Sequence, residues 1–195
     1  MCRNAVRMFP ESVSGCSRNM HGFHNGVANY LSTYDMSQYD IANTAISLRK
    51  LLLDPLKLSN CKNALICIDA CAQSFIDENA RSSLSNINDE ELIIFSNDFP
   101  YHALFLSCQT GEKSYSCNDF KNGIWTHYLT EAISGNVDEL IKGNKYITDR
   151  ALGDYLSHSV SQYAKNKLGF DQNPKAILDA SYENVIVQIK KENAE

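Results

Sequence analysis

No window of the 195-residue chain approaches the roughly 18 consecutive apolar residues of a membrane span. The opening MCRNAVRMFPESVSG also lacks the apolar stretch of a secretory signal, so the expected location is the cytoplasm. Positive charge is scarce: 18 Lys and Arg stand against 23 Asp and Glu, a formal net charge of −5. A nucleic-acid partner, which needs a basic face, is therefore not expected. The seven cysteines form an odd set with no tight framework of spacings and no CxxC pair. Reduced thiols are predicted rather than disulfides, and a dithiol redox function is disfavoured for want of its motif. A zinc site needs a full set of converging ligands, yet the only HxxH runs from His21 to His24, so no metal is predicted. The acidic residues show no EF-hand spacing, which leaves calcium unsupported and the chain without an expected cofactor.

What is present is enough apolar material, 44 % of residues, for one domain with a continuous core. Residues 1–20 are polar and irregular, with Pro10 and Gly15 and neither helical nor strand periodicity. From Ser47, SLRKLLL joins an N-cap to helix formers, and Pro55 is expected to end or kink that helix before a turn at SNCKN. ALICI (Ala64 to Ile68) and HALFLSC (His102 to Cys108) are short apolar runs bounded by turn residues, the pattern of central strands buried on both faces. Between them the charged, serine-rich segment 77–91 is long for an internal loop, and LIIF (Leu92 to Phe95) offers a further strand. Helical spacing recurs at Trp125, Leu129, Ala132 and Ile133, then at Leu152, Tyr155, Leu156, Val160 and Tyr163. Thr148 would cap the second helix and Gly169 stop it, and NVIVQI (Asn184 to Ile189) reads as a closing strand. Strands alternating with helices predict an α/β sandwich around a mostly parallel sheet.

If ALICI is a parallel strand, Asp69 and Cys71 emerge at its carboxyl end, where open α/β sheets bind ligands. A cysteine is a nucleophile only as a thiolate, so its proton must be held or taken by a nearby base. Of the five histidines, His21 is followed by Gly22, whose missing side chain would let a backbone N–H approach a reacting oxygen.

The blocks HGFHNGVANYLSTYD, NTAISLRKLL, NALICIDACAQS, FLSCQTGEKSYS and GIWTHYLTEAISG, in that order, resemble those of caspase-like cysteine peptidases of the metacaspase and paracaspase type. The likeness runs from about His21 to the terminal strand, and His21 stands 50 residues before Cys71, the separation of the caspase pattern. The resemblance implies a three-layer caspase-like sandwich over residues 21–195. Related domains carry further strands before the histidine, so with an irregular 1–20 the fold is expected to be N-terminally truncated.

The resemblance also implies a cysteine endopeptidase acting on a protein or peptide. Cys71 would be the nucleophile and His21 the acid and base, with the N–H groups of Gly22 and Cys71 holding the oxyanion. Asp69 matches the acid of the first specificity pocket, and an anionic pocket favours a substrate Arg or Lys. The segment 77–91 would be an inter-subunit linker cut after Arg81; more simply, it is a solvated linker.

Without the resemblance, Cys71 reads as a structural thiol and Asp69 as a helix cap or a ligand of loop amides. His24 reads as a loop residue near the cleft rather than a base, Cys67 as an inert core thiol, and Glu112 as a solvated turn carboxylate in preference to one flanking the cleft. His102, His127 and His158 carry no supporting pattern. The competing class is a non-catalytic caspase-like interaction module, its open sheet edges completed by a partner domain or a second copy.

Overall fold

The computed structural model describes residues 5–8, 22–25, 28–32, 35–37, 39–70, 93, 102–109, 112–178 and 181–189. Its first half comprises β1 (Ala5–Met8), β2 (Gly22–Asn25), β3 (Ala28–Leu31), α1 (Ile41–Thr44), β4 (Ile46–Ser47), a π-helical turn (Arg49–Leu53), α2 (Asp54–Leu58) and β5 (Ala64–Ile68). There follow β6 (His102–Leu106), β7 (Ser116–Cys117), β8 (Asn122–Gly123), α3 (Ile124–Ile133), β9 (Tyr146–Thr148) and α4 (Asp149–Tyr163). A second π-helical turn (Ala164–Leu168), β10 (Lys175–Leu178) and β11 (Val185–Gln188) come last.

The main sheet has the order β1-β5-β6-β10. β1 and β6 run parallel to β5 on either side, whereas β10 is antiparallel to β6. The two apolar runs are thus the inner strands of a mixed sheet. Because successive side chains leave a strand on opposite faces, Ala64, Ile66 and Ile68 join Leu104 and Leu106 in one buried cluster, completed by Leu31, Leu48, Leu52 and Leu53. Cys67, Ala103 and Phe105 enter a second cluster with Trp125, Leu129, Leu152, Leu156 and Val160. Both faces of the inner strands are therefore covered, one by the first π-helical turn and the other by α3 and α4. That double burial is why these strands read as continuous apolar runs instead of alternating ones.

The two long helices follow their sequence signals. Thr148 caps α4, its Oγ1 accepting from the Ala151 N–H at 3.3 Å. After the second π-helical turn, Gly169 stops the helical backbone in the left-handed region, at φ 73°, a conformation that favours glycine.

Three segments differ from the sequence expectation, while the closing strand forms as read, over Val185–Gln188. Residues 5–8, within the stretch read as irregular, form a strand whose ladder to β5 pairs Ala5 with Ala64 and Met8 with Cys67. A strand of 4 residues is too short for periodicity to register, and its backbone is set by the neighbouring strand. The main sheet therefore takes one strand from the stretch read as irregular. Pro55 does not end its helix, since helical backbone continues to Leu58. The ring sits where the π-helical turn Arg49–Leu53 passes into α2, so the change of helix type falls beside the residue that lacks an N–H.

The closing strand β11 pairs with β9 and stays out of the main sheet. Its path is fixed by Asp149, a buried carboxylate at the start of α4 whose Oδ1 accepts from the Asn184 N–H at 3.1 Å, while the Asp149 N–H donates to the Asn184 carbonyl at 2.9 Å. Of LIIF, only Ile93 is described, and it is helical.

Cys67 is 3 % exposed, and burial pushes its thiol up to about 12. A raised pKa keeps the proton on sulfur, so the folded protein should resist alkylation at Cys67 at about pH 8 and lose that protection on unfolding. Peptide mapping after a short iodoacetamide pulse, with and without denaturant, checks this. Equal labelling in both samples would mean that β5 is not an inner strand.

Candidate active site

The site forms where the chain leaves β5 and β6. One hydrogen bond past the strands, the Ser107 N–H donates to the Ile68 carbonyl at 3.0 Å, so the two exits remain side by side. The Ser107 hydroxyl then accepts from the Ala70 N–H at 3.2 Å and donates to the Ala70 carbonyl at 3.3 Å. The Cys108 thiol lies 3.4 Å from the same carbonyl. Ala70 is the residue before Cys71, so the backbone leading into residue 71 is anchored to the neighbouring strand end.

Asp69 is half-buried, and each of its oxygens accepts from a hydroxyl: Oδ1 from Ser114 at 2.6 Å and Oδ2 from Thr126 at 2.5 Å. Thr126 lies in the first turn of α3, where the helix dipole favours a carboxylate. Gly123 immediately precedes that helix, and a Cβ there would meet Asp69 Oδ2 at 2.8 Å. Only a residue without a side chain lets the start of α3 come this close to the acid.

A second layer lies behind Ser114. Gln172, fully buried, accepts from the Tyr115 N–H at 3.0 Å through Oε1. Its Nε2 donates to the Ser107 carbonyl at 3.0 Å and to Ser114 Oγ at 3.3 Å. Glu112 is not the solvated turn carboxylate expected. Its Oε1 accepts from Asn173 Nδ2 at 2.5 Å and its Oε2 from the Asn173 N–H at 2.6 Å, with the Gln109 N–H at 3.3 Å. Glu112 thus clasps the loop that carries Gln172 to the turn after β6.

Of the residues singled out in the sequence, His21, Cys71, Arg81 and the whole of 77–91 lie outside the described residues. Gly22 opens β2 and pairs with Leu31, which packs in the same apolar cluster as Ile68 and Ala70. The strand that begins at Gly22 is therefore joined, through Leu31, to the first buried cluster. Among the described residues Asp69 binds two hydroxyls; the segment after residue 70, which it was alternatively read as capping or binding through loop amides, lies outside the described residues. His24 is in strand β2 opposite Asn29, not in a loop. His127 stacks on Phe120 with ring centroids 3.8 Å apart, and His158 is exposed.

Among the described residues no group of His, Cys, Asp and Glu could hold a metal ion, and no helix is long and apolar enough to cross a membrane. Ser114 falls inside the GEKSYS segment and Gly123 and Thr126 inside the GIWTHYLTEAISG block that the sequence had marked, but none of the three was singled out as a site residue, and Gln172 lies outside every marked block. Gly123, Thr126 and Gln172 lie far from Asp69 in the chain and meet it, or its partner Ser114, only through the fold. No protein-family model and no curated protein matches this sequence.

Proposed function

We propose that the chain is a caspase-like cysteine endopeptidase with a His21 and Cys71 dyad and a preference for Arg or Lys at the cleavage site. The observation that carries this reading is Asp69. It is a half-buried carboxylate at the carboxyl end of an inner parallel strand, two residues before the cysteine, with both oxygens held in place. An acid so fixed has its charge oriented before any ligand arrives, which is what a pocket for a cationic side chain requires.

In the proposed reaction Cys71 Sγ attacks the scissile carbonyl carbon, and His21 gives a proton to the departing amine as the C–N bond breaks. His21 then takes a proton from water, which hydrolyses the thioester and returns the thiol. The N–H groups of Gly22 and Cys71 would hold the oxyanion, a contact worth roughly 10²–10³ in rate. Support comes from the clamp of Ser107 on Ala70, which anchors the backbone just before residue 71.

The test is cleavage of fluorogenic peptides ending in Arg, Lys or Asp by the full chain, beside Cys71→Ala. Turnover of the Arg and Lys peptides that vanishes in the variant is the expected result. Turnover of the Asp peptide alone would keep the dyad and remove Asp69 from the pocket. No turnover by folded protein would overturn the peptidase and leave the non-catalytic interaction module in its place.

A further inference from the structure

We propose that the row of aromatic rings along the seam of α3 and α4 is a docking surface for an arginine-rich segment of a partner protein. It does not depend on the peptidase reading, since it uses none of the residues placed around Asp69.

The row follows from how the two helices divide their faces. Leu152, Leu156 and Val160 recur every four residues of α4 and join Leu129 of α3 in the second buried cluster. Tyr155 and Tyr163, eight residues apart, form a neighbouring stripe of α4 that stays half-buried. Tyr128 of α3 stands between them and meets both rings edge to face, with centroids 6.1 and 6.2 Å apart. Phe120, in the turn between β7 and β8, extends the row: it lies 4.9 Å from Tyr163 and stacks on His127 at 3.8 Å. Tyr163 is steadied from the same hairpin, its Oη lying 3.1 Å from Cys117 Sγ. Each of the five rings keeps part of its surface in solvent. Single apolar side chains at a surface need no explanation, but contiguous ones mark contact sites.

The charges beside the row choose its occupant. Burial first, then Tyr128, Glu139 and Glu131, raise the Tyr155 phenol against a hydrogen bond with Ser159 that lowers it. The two carboxylates therefore stand within electrostatic reach of that ring. Glu131 is steadied there by Asn136, whose Nδ2 donates to its Oε2 at 3.2 Å. Asp119 likewise acts on Tyr163, and it offsets Lys121 in the same turn. Lys142 and Arg150, the cations that follow Glu139 in the chain, bear on Glu183.

An aromatic row can stack nucleic-acid bases, yet carboxylates beside it repel phosphate, on a strand or on a lipid surface. A guanidinium suits both features. It is flat and weakly hydrated, so it lies on aromatic faces while pairing with a carboxylate, whereas an ammonium is compact and strongly hydrated. Alternate residues of an extended segment stand on one face about 6.6 Å apart, close to the 6.1 and 6.2 Å between successive tyrosine rings. Arginines at every second position would thus meet successive rings.

The experiment is fluorescence anisotropy of a labelled peptide that alternates Arg with Ser, titrated with the full chain carrying Cys71→Ala so that nothing is cut. Replacing each Arg by its neutral isostere citrulline should weaken binding by roughly tenfold or more, and replacing it by Lys by a few-fold. Glu131→Gln combined with Glu139→Gln should weaken binding of the Arg peptide by roughly fivefold or more, and Tyr128→Leu should weaken it also. Asp69→Asn should change it by less than about twofold, since the row is separate from that acid.

No binding, equal affinity for the citrulline peptide, or no change in the double glutamine variant overturns the proposal. A loss confined to Asp69→Asn also overturns it, because the peptide then occupies the cleavage pocket and the peptidase reading stands. Preference for a single-stranded oligonucleotide or a phosphatidylserine vesicle over the Arg peptide overturns the choice of partner. Circular dichroism shows which variants are folded, and the glutamine pair, isosteric with what it replaces, carries the test if Tyr128→Leu is not. A wild-type chain without peptidase activity leaves each of these outcomes as it is, so the two readings fail separately.

Discussion

Asp69→Asn should lower kcat/KM for a peptide ending in Arg by about a hundredfold, as expected for loss of charge-assisted hydrogen bonds at a partly solvated site. The citrulline peptide, equal in shape but uncharged, should change by only a few-fold. The substitution keeps the volume of the side chain and removes its charge, so the pocket retains its form. It also breaks the match with its supports: Ser114 and Thr126 both donate to Asp69, and the amide nitrogen of an asparagine would face one of them as a second donor. One hydroxyl must rotate, and for Ser114 the rotation is opposed by Gln172 behind it. Steady-state kinetics on the two peptides gives the ratio directly. If Asp69 served only to join the segments around Ser114 and Thr126, its substitution would lower the melting temperature and slow both peptides alike. The ratio, not the loss of activity, separates these roles.

Asp69 was legible because two local signals coincide there: an apolar run that ends, and an acid at the end of it. Its partners were not, since Ser114 and Thr126 lie 45 and 57 residues further along the chain, and hydroxyls are too common to mark a site. Gly123 illustrates the same limit. Its use is to let an acid from another element come near, and no neighbouring residue announces that. Helix ends were read well for the opposite reason. Thr148 meets the N–H three positions ahead of it, and Gly169 adopts its left-handed turn within its own backbone, so both signals are written beside the structure they produce.

Residues 5–8 and Val185–Gln188 show where local reading stops. The first becomes a strand only because β5 offers an edge to pair with, and the second joins β9 because Asp149 holds Asn184 beside the start of α4.

Phe105→Ala should destabilise the protein by about 3–5 kcal/mol, a large share of the roughly 5–15 kcal/mol that holds a typical domain folded. Phe105 is on an inner strand and 1 % exposed. Across the layer, a Cβ added at Gly153 of α4 would lie 3.7 Å from the Phe105 ring and 3.1 Å from the Ala176 Cβ. The helix thus sits close over β6 and β10 with the ring filling the space beside it. Backbone on both sides of the ring is committed to the sheet ladder and to a helix, so the gap left by its removal cannot close, and the cavity cost adds to the lost transfer energy. Phe170, 53 % exposed and stacked on Tyr115 at 5.0 Å, is the contrasting case, where alanine should cost about 1 kcal/mol or less.

Urea denaturation followed by the emission of Trp125, the chain's single tryptophan, measures both variants on one scale. A loss below about 1 kcal/mol for Phe105→Ala would mean that the ring is outside the core, and the simplest cause would be a one-residue slip of β6 against β5, which turns every side chain to the other face. In the observed register Phe105 lies opposite Cys67 and Leu106 opposite Ile68, and it is this register that brings Ser107 onto Ala70. A slipped strand would carry Ser107 away from the residue that precedes Cys71 and would leave Gln172 without its fixed acceptor. The stability of a core variant therefore tests the frame of the site with no substrate in hand.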